Sequence, residues 1–126
     1  MTKNPKWTYS ELVLALELYM NFRPNPPGKN SPEVDQLSTL LRLNALSDRL
    51  NINNVFRNKN GVAMKLQNFR RFDPSFKGSG LRAGGNLEYE IWERFQNLDK
   101  LKKTARKIRN NIEIKIKDLI NDQRNS

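Results

Sequence analysis

The chain has 126 residues, with 23 Lys and Arg side chains against 13 Asp and Glu, which gives a formal net charge of +10. This length predicts a single domain that buries a modest core without disulfides or metal. The sequence contains no cysteine and no histidine. Disulfide frameworks, thiolate nucleophiles, Cys/His zinc sites, Ser-His-Asp triads and histidine general bases are therefore excluded, and we expect neither a metal nor another cofactor.

A positive charge of this size attracts polyanions, so nucleic acid and an anionic membrane surface are the candidate partners. No apolar run in the sequence approaches the ~20 residues that a membrane-spanning helix needs. The N-terminus also lacks the apolar stretch of a signal peptide. We therefore expect a cytoplasmic protein with no membrane partner.

The first helix is predicted to begin at a capping box, because Thr8 and Glu11 stand three residues apart. The apolar residues behind them follow one helical face to about Phe22, where a Pro-rich segment begins. A second helix is predicted to start after Ser31, whose hydroxyl is a good cap and which is followed by proline, and to end near Leu46.

A third helix is predicted at about residues 58–72, after a segment rich in Asn, Asp and Ser that favours turns. Val62, Leu66 and Phe69 lie at positions i, i+4 and i+7 and define its buried face. An Asp-Pro pair closes the helix, since the residue before proline avoids helical geometry.

Residues 74–86 hold four of the six glycines and predict a loop. The sequence after this loop fits two arrangements. Either a fourth helix ends at a break at residues 97–99 and Asp99 caps a fifth, or one helix runs from Asn86 to about Ile120. We therefore expect an all-α bundle of four to five helices. Residues 1–97 would form the domain, and residues 98–126 a basic C-terminal helix that packs on it or leads to a further domain.

Basic residues concentrate in two segments. Residues 56–82 carry seven cations against the single acid Asp73, and residues 100–117 carry eight against Glu113. In the first segment the cations alternate with Asn and Gln. Lys and Arg bind phosphates regardless of sequence, whereas Asn, Gln and Arg can also form paired hydrogen bonds to base edges. We interpret the third helix as a DNA-reading helix, with a merely solvated face as the alternative. For the second segment the solvated face is the favoured interpretation, and phosphate contact is the alternative.

The predicted DNA contacts lie on the third helix and on the Gly-rich loop that follows it, whose two cations are expected to clamp phosphate. The residues are Arg57, Asn58, Lys59, Asn60, Lys65, Asn68, Arg70, Arg71, Lys77 and Arg82.

The order of the first three helices, with Trp7 and Glu11 at the entry of the first and cations on the third, resembles helix-turn-helix and Myb-like modules. The stretch from Ser31 to Phe56 is longer than the tight turn of such modules.

A more specific resemblance runs from about Trp7 to Phe95. The blocks are WTYSELVLALELYMNF, GKNSPEVDQLSTLLR, VFRNKNGVAMKLQNFRRFDPSF, GLRAGG and LEYEIWERF. They resemble the N-terminal domain of bacterial McrA-like, modification-dependent HNH restriction endonucleases. In that family a nuclease domain rich in His and Cys follows this domain, so the resemblance implies a role in selecting the DNA to be cut. It also implies recognition of a modified base, and an apolar pocket for a 5-methyl group would be lined by some of Phe56, Met64 and Phe76.

The chain departs from that family because it contains none of the His and Cys residues that the nuclease needs. We therefore expect no enzyme activity of its own. It is either an excised or a naturally solitary targeting domain, with double-stranded DNA, plain or carrying 5-methylcytosine, as its partner and a nuclease domain as a neighbour in cis.

Two other functions are consistent with the sequence. A helical interaction module, or a regulatory DNA-binding module without a nuclease, would use the basic C-terminal helix to dock on an acidic partner or to join a coiled coil. A small metal-dependent nuclease would need carboxylates such as Glu88, Glu90 and Glu93, but acids are expected in a first helical turn for reasons of the helix dipole.

Overall fold

The computed structural model describes residues 4–76 and 86–125. Within these ranges the chain forms five α-helices, which are α1 (Tyr9–Phe22), α2 (Pro32–Ser47), α3 (Lys59–Arg70), α4 (Asn86–Arg94) and α5 (Leu98–Asn125). The predicted all-α bundle is confirmed, and of the two arrangements predicted for its C-terminal part the structure has two separate helices. None of the helices in these ranges combines the length and the apolarity needed to cross a membrane.

The first helix begins where its capping side chains predict. The Glu11 amide donates to the Thr8 hydroxyl at 3.2 Å, and the Thr8 amide donates to Oε1 of Glu11 at 2.9 Å, so the predicted capping box is confirmed. At the start of α2 the Val34 amide donates to the hydroxyl of Ser31 at 3.2 Å, as expected for that cap. Short side chains thus fix the starts of both helices.

The cap of α5 differs from the prediction. Oδ1 of Asn97 accepts a hydrogen bond from the Lys100 amide at 3.1 Å, and the helix starts at Leu98. The prediction of Asp99 as the cap is therefore wrong. Asp99 lies in the first turn instead, where a negative charge favours the helix dipole.

The central helix of the bundle is α1, which contacts each of the other four. Residues 12–16 are each exposed by 1 % or less, so α1 is buried on all sides at this level and not only on the one face that the periodicity predicts. A helix that is apolar all round is stable only when neighbours cover every side. The remaining helices therefore form a shell around it.

The two basic helices lie against different parts of this shell. α3 packs on α1, α2 and α4, whereas α5 packs on α1 and α2 through a stripe that includes Leu101, Ala105 and Ile112. Between the described parts of α3 and α5 there is no direct contact. The C-terminal helix is thus part of the bundle, and its role as a connection to a nuclease domain stays a prediction.

Residues 48–58 connect α2 to α3, where a helix-turn-helix motif has a turn of about 3–4 residues. Side chains of α2 hold this connection in place. Nη1 of Arg42 donates to the carbonyls of Asn53 and Phe56 at 3.1 and 2.6 Å, and the Ser38 hydroxyl donates to the Arg57 carbonyl at 2.7 Å. The start of α3 is thereby fixed against α2.

A buried ion pair joins the same connection to α1. Nε and Nη2 of Arg57 donate to the two carboxylate oxygens of Glu11 at 2.8 and 2.9 Å, and the other guanidinium N–H groups reach the carbonyls of Pro5 and Lys6 at 3.0 and 3.1 Å. Only 4 % of the Arg57 side chain and 7 % of the Glu11 side chain are exposed. The pair is therefore a structural contact between the N-terminal segment, α1 and the start of α3.

We expect Arg57→Met to lower the free energy of unfolding by about 3–5 kcal/mol, because it leaves the buried carboxylate of Glu11 without its cation. Urea unfolding followed by circular dichroism measures the change. Arg106→Met, on the exposed side of α5, is the matched control and is expected to change the same quantity by less than about 0.5 kcal/mol. A loss for Arg57→Met no larger than that of the control would contradict the assigned role.

Candidate nucleic-acid interface

The helix predicted to read DNA is α3, and its local sequence explains both its start and its buried face. The Gly61 amide donates to Oδ1 of its cap, Asn58, at 2.8 Å, and a Cβ at position 61 would lie only 3.3 Å from that oxygen. Glycine therefore lets the cap close tightly. The buried side of α3 carries Val62, Leu66 and Phe69, each fully buried, as the spacing predicts.

Three of the predicted DNA contacts are used inside the fold. Arg57 is buried against Glu11, and Asn68 is buried with only 8 % of its surface exposed. Nζ of Lys65 lies 3.0 Å from Oε1 of Glu88 on α4 and 5.3 Å from the centroid of the Trp7 ring. The prediction that Arg57 and Asn68 present their side chains at the surface is wrong in this fold, because both side chains are buried. Lys65 is withdrawn from the surface by its ion pair.

The first residues of α3 stay accessible. Asn58 is half-buried and acts as the cap, whereas Lys59 and Asn60 are exposed. Nζ of Lys59 lies 3.6 Å from a carboxylate oxygen of Asp35, a distance at which an exposed ion pair contributes little. Lys59 can therefore exchange this weak ion pair for a ligand, and Asn60 is accessible to one.

The side of α3 opposite its buried face carries residues spaced i, i+4, i+7 and i+11. We call this set the α3 outer face, and it consists of Asn60, Met64, Gln67 and Arg71. Met64 is 59 % exposed, and α3 contains no acidic residue. Two amides, one thioether and one guanidinium thus lie along one side of the helix, exposed at Asn60 and Met64 and half-buried at Gln67 and Arg71.

Two arginines at the end of α3 are held by aromatic rings. The guanidinium carbon of Arg70 lies 3.7 Å from the ring centroid of Phe76, and that of Arg71 lies 4.4 Å from the ring centroid of Phe72. Nη1 of Arg70 also donates to Oε1 of Gln67 at 3.2 Å. Nε of each arginine is buried and has no hydrogen-bond partner among the described residues. The predicted contacts Arg70 and Arg71 thus lie side by side at the end of the helix, each with part of its guanidinium inside the fold.

A buried carboxylate fixes the backbone just beyond these arginines. Asp73 accepts hydrogen bonds from the Tyr19 hydroxyl at 2.6 Å, from Nε of Arg23 at 3.0 Å and from the Ser75 amide at 2.8 Å. Burial alone would raise the pKa of Asp73, but the hydrogen bonds from Arg23, Tyr19 and Ser75 outweigh burial and hold that pKa below its usual range. The ends of α1 and α3 are thus joined through a charged group.

A polar cleft lies at the other end of α3, between this helix and α2. Its volume is about 510 Å³. The cations that line it are Lys29, Arg42 and Lys59, against the single acid Asp35. Its other lining residues are Asn30, Ser38, Thr39, Asn54, Asn58 and Asn60. The cleft therefore brings three predicted contacts, Asn58, Lys59 and Asn60, together with two cations that were not among the predicted contacts.

Two of the predicted contacts, Lys77 and Arg82, lie outside the described residues. Lys29 and Arg42 were missed because they belong to α2 and the segment before it, and only the packing of α2 on α3 places them beside the cleft. Met64 and Gln67 carried a signal in their helical spacing, since both lie opposite the buried face of α3.

Comparison of the chain with models of protein families, with curated proteins and with solved structures gives no match.

We expect the stability that Asp73 contributes to be present above its unfolded pKa of ~3.9 and to be lost as the pH falls through its lower folded pKa. Asp73→Asn should lower the free energy of unfolding at neutral pH by about 1.5–3 kcal/mol, because it removes charge-assisted hydrogen bonds. It should also flatten the dependence of this free energy on pH in the acid range. Urea unfolding at a series of pH values measures both effects.

The control for this experiment is Asp99→Asn, which changes an exposed carboxylate in the same way. Its stability should follow the wild-type pH dependence. Parallel curves for Asp73→Asn and the wild-type chain below about pH 4 would contradict the role of Asp73.

Proposed function

We propose that this chain is a DNA-recognition module with no catalytic centre of its own, and that α3 lies in the major groove of double-stranded DNA. The observation that carries the proposal is the α3 outer face, on a helix free of acidic residues. Its amides and its guanidinium are groups that pair with base edges, and its apolar side chain suits contact with a methyl group of thymine or 5-methylcytosine.

The length of α3 and the position of the cations support this placement. A helix of 12 residues is ~18 Å long, whereas the major groove is ~12 Å wide. Lys29, Arg42 and Lys59 lie near the first turn, and Arg70 and Arg71 lie at the last. With the middle of α3 over the base edges, cations at both ends lie close to the phosphates that border the groove.

The two sets of contacts have different roles in this proposal. Contacts from cations to phosphate position a protein on DNA without reading sequence, whereas base-edge contacts specify the sequence. Asn60 and Gln67 are the reading residues, since both carry an amide with a donor and an acceptor. The cations at the two ends of α3 supply sequence-independent affinity.

Recognition of a modified base rests on the resemblance to McrA-like endonucleases and on one exposed residue. Of the three apolar candidates, Phe56 is buried, and Phe76 lies under the guanidinium of Arg70. Met64 is exposed in the middle of the α3 outer face. We therefore assign Met64 as the contact to a 5-methyl group, and we propose that the module selects DNA for a nuclease domain.

An interaction module built on α5 is less well supported. Its coiled-coil form needs a free apolar stripe, but Leu101, Ala105 and Ile112 already pack against the bundle. The DNA-binding proposal uses surface that is accessible in the fold, so we favour it.

The double variant Asn60→Ala with Gln67→Ala is expected to lose sequence preference, because each base-edge pair that is removed costs ~1–3 kcal/mol at the preferred site. Selection from a random duplex library should enrich one motif with the wild-type chain. The variant should enrich none, while its affinity for unrelated duplexes stays within about twofold, since phosphate contacts carry non-specific binding.

The matched control is Asn110→Ala with Asn111→Ala, which removes two exposed amides from α5. It should enrich the same motif as the wild-type chain. Equal enrichment by the variant on α3 would show that its outer face does not read DNA.

Met64→Ala is expected to reduce the preference for a methylated duplex over a plain duplex of the same sequence by about fourfold, since one buried methyl group contributes ~0.8 kcal/mol. Competition binding with the two duplexes measures this ratio. Ile114→Ala is the control, because Ile114 on α5 is 58 % exposed, against 59 % for Met64. A wild-type chain that binds both duplexes equally would overturn recognition of the methyl group.

A further inference from the structure

The first half of α5 presents a second cationic surface. We call it the α5 basic face, and it consists of Lys100, Lys102, Lys103, Arg106 and Lys107, all exposed. The opposite side of this stretch carries Leu101 and Ala105, which are fully buried in the bundle. The packing of α5 therefore fixes the direction in which these cations face.

The cations of α5 fall into two classes. Beyond the α5 basic face, Arg109 lies 2.6 Å from a carboxylate oxygen of Glu17, and Lys115 lies 3.0 Å from one of Asp48. On the α5 basic face, none of the five residues forms an ion pair with a described part of the chain. The sequence also contains no acid from Lys100 to Ile112. The fold thus pairs Arg109 and Lys115 with carboxylates and leaves the α5 basic face positive.

The close spacing of these cations lowers the stability of α5. Lys102 and Arg106, and Lys103 and Lys107, stand four residues apart and are therefore neighbours on the helix surface. Like charges at this spacing destabilise a helix by ~0.2–0.5 kcal/mol per pair. An anionic partner along this face would remove the repulsion, so its chemistry must be that of a polyanion.

An acidic protein, an anionic membrane and nucleic acid are the three candidate partners of this face. Its composition distinguishes between them. A protein interface generally has an apolar or aromatic centre and few lysines, whereas this face has no apolar residue and four lysines. A membrane-binding amphipathic helix inserts its apolar side into the lipid, but that side of α5 is buried in the bundle. The backbone of nucleic acid needs cations alone.

We propose that the α5 basic face binds the phosphate backbone of DNA as a second surface, separate from α3. The proposal deepens the proposed function, because it adds a second contact with the same partner. The described parts of α3 and α5 do not touch, and both pack on α1 and α2. The two helices therefore engage different stretches of backbone, either on one bent duplex or on two duplexes.

The dimensions give the size of the contact. The rise from Lys100 to Lys107 is ~10 Å, and one strand of duplex DNA carries a phosphate every ~3.4 Å along the axis. The face therefore covers about three phosphates. Each neutralised phosphate contributes ~0.9 to the slope of log affinity against log salt, so the face contributes about 2 to 3.

The test is the triple variant Lys103→Gln, Arg106→Gln and Lys107→Gln. Its control changes three exposed cations elsewhere, Lys6→Gln, Arg49→Gln and Arg124→Gln, and so removes the same net charge. Fluorescence anisotropy with a labelled duplex at several salt concentrations gives the slope. We expect a wild-type slope near −5 for about six phosphates, a loss of about 2 to 3 from this slope in the triple variant, and a loss below about 1 in the control.

The outcomes separate this proposal from the assignment of α3. If the triple variant and the control have equal slopes, the α5 basic face does not bind DNA, while motif selection by α3 stands or falls by its own experiment. If the triple variant loses slope and the wild-type chain still selects no motif, α5 binds the backbone and the reading role of α3 fails. Failure of the wild-type chain to bind any duplex would overturn both.

A parallel titration tests the membrane alternative, with vesicles of phosphatidylserine and phosphatidylcholine in place of the duplex. A triple variant that loses vesicle binding but keeps the wild-type slope on DNA would overturn the proposal in favour of an anionic lipid surface.

Discussion

The contact on which the rest of this structure depends is the buried ion pair between Arg57 and Glu11. The Glu11 carboxylate closes the capping box of α1 and also accepts hydrogen bonds from Nε and Nη2 of Arg57. The backbone of Arg57 is held by Ser38 of α2, and its remaining N–H groups hold the N-terminal segment. One side chain thus determines where α3 begins relative to α1 and α2, and removing either partner would leave an uncompensated charge in the interior.

Ion pairs of this kind mean that the number of cations in the sequence exceeds the number accessible at the surface. The chain carries a net charge of +10, but its cations have different uses. Three of them form ion pairs with buried carboxylates, namely Arg57, Arg23 and Lys65. Two others, Arg109 and Lys115, form ion pairs that attach α5 to the bundle. Among the described residues, the accessible cations form groups on the first half of α5 and at the two ends of α3, and single exposed cations lie elsewhere. These groups are the places where a polyanion gains most from binding.

Local chemistry predicts most of the fold from the sequence. Three helices are capped by a side chain that accepts from an amide only three residues away, and the caps are Thr8, Ser31 and Asn58. The starts of α1, α2 and α3 can therefore be predicted from the sequence. The buried face of α3 follows from its 3.6-residue period. By contrast, the partner of Arg57 is 46 positions away and that of Asp73 is 54 positions away, and no local pattern predicts either pairing. The period of α3 therefore predicts which of its sides is buried, but it does not predict that Arg57 and Asn68 are buried as well.

Contact between the α3 outer face and DNA can be measured by titrating the ¹⁵N-labelled chain with duplex DNA and following the amide chemical shifts. We expect the largest shifts at Asn60, Met64, Gln67 and Arg71, with a second cluster at residues 100–107. Shifts confined to other surfaces, with the amides of the α3 outer face unchanged at saturating DNA, would contradict this contact.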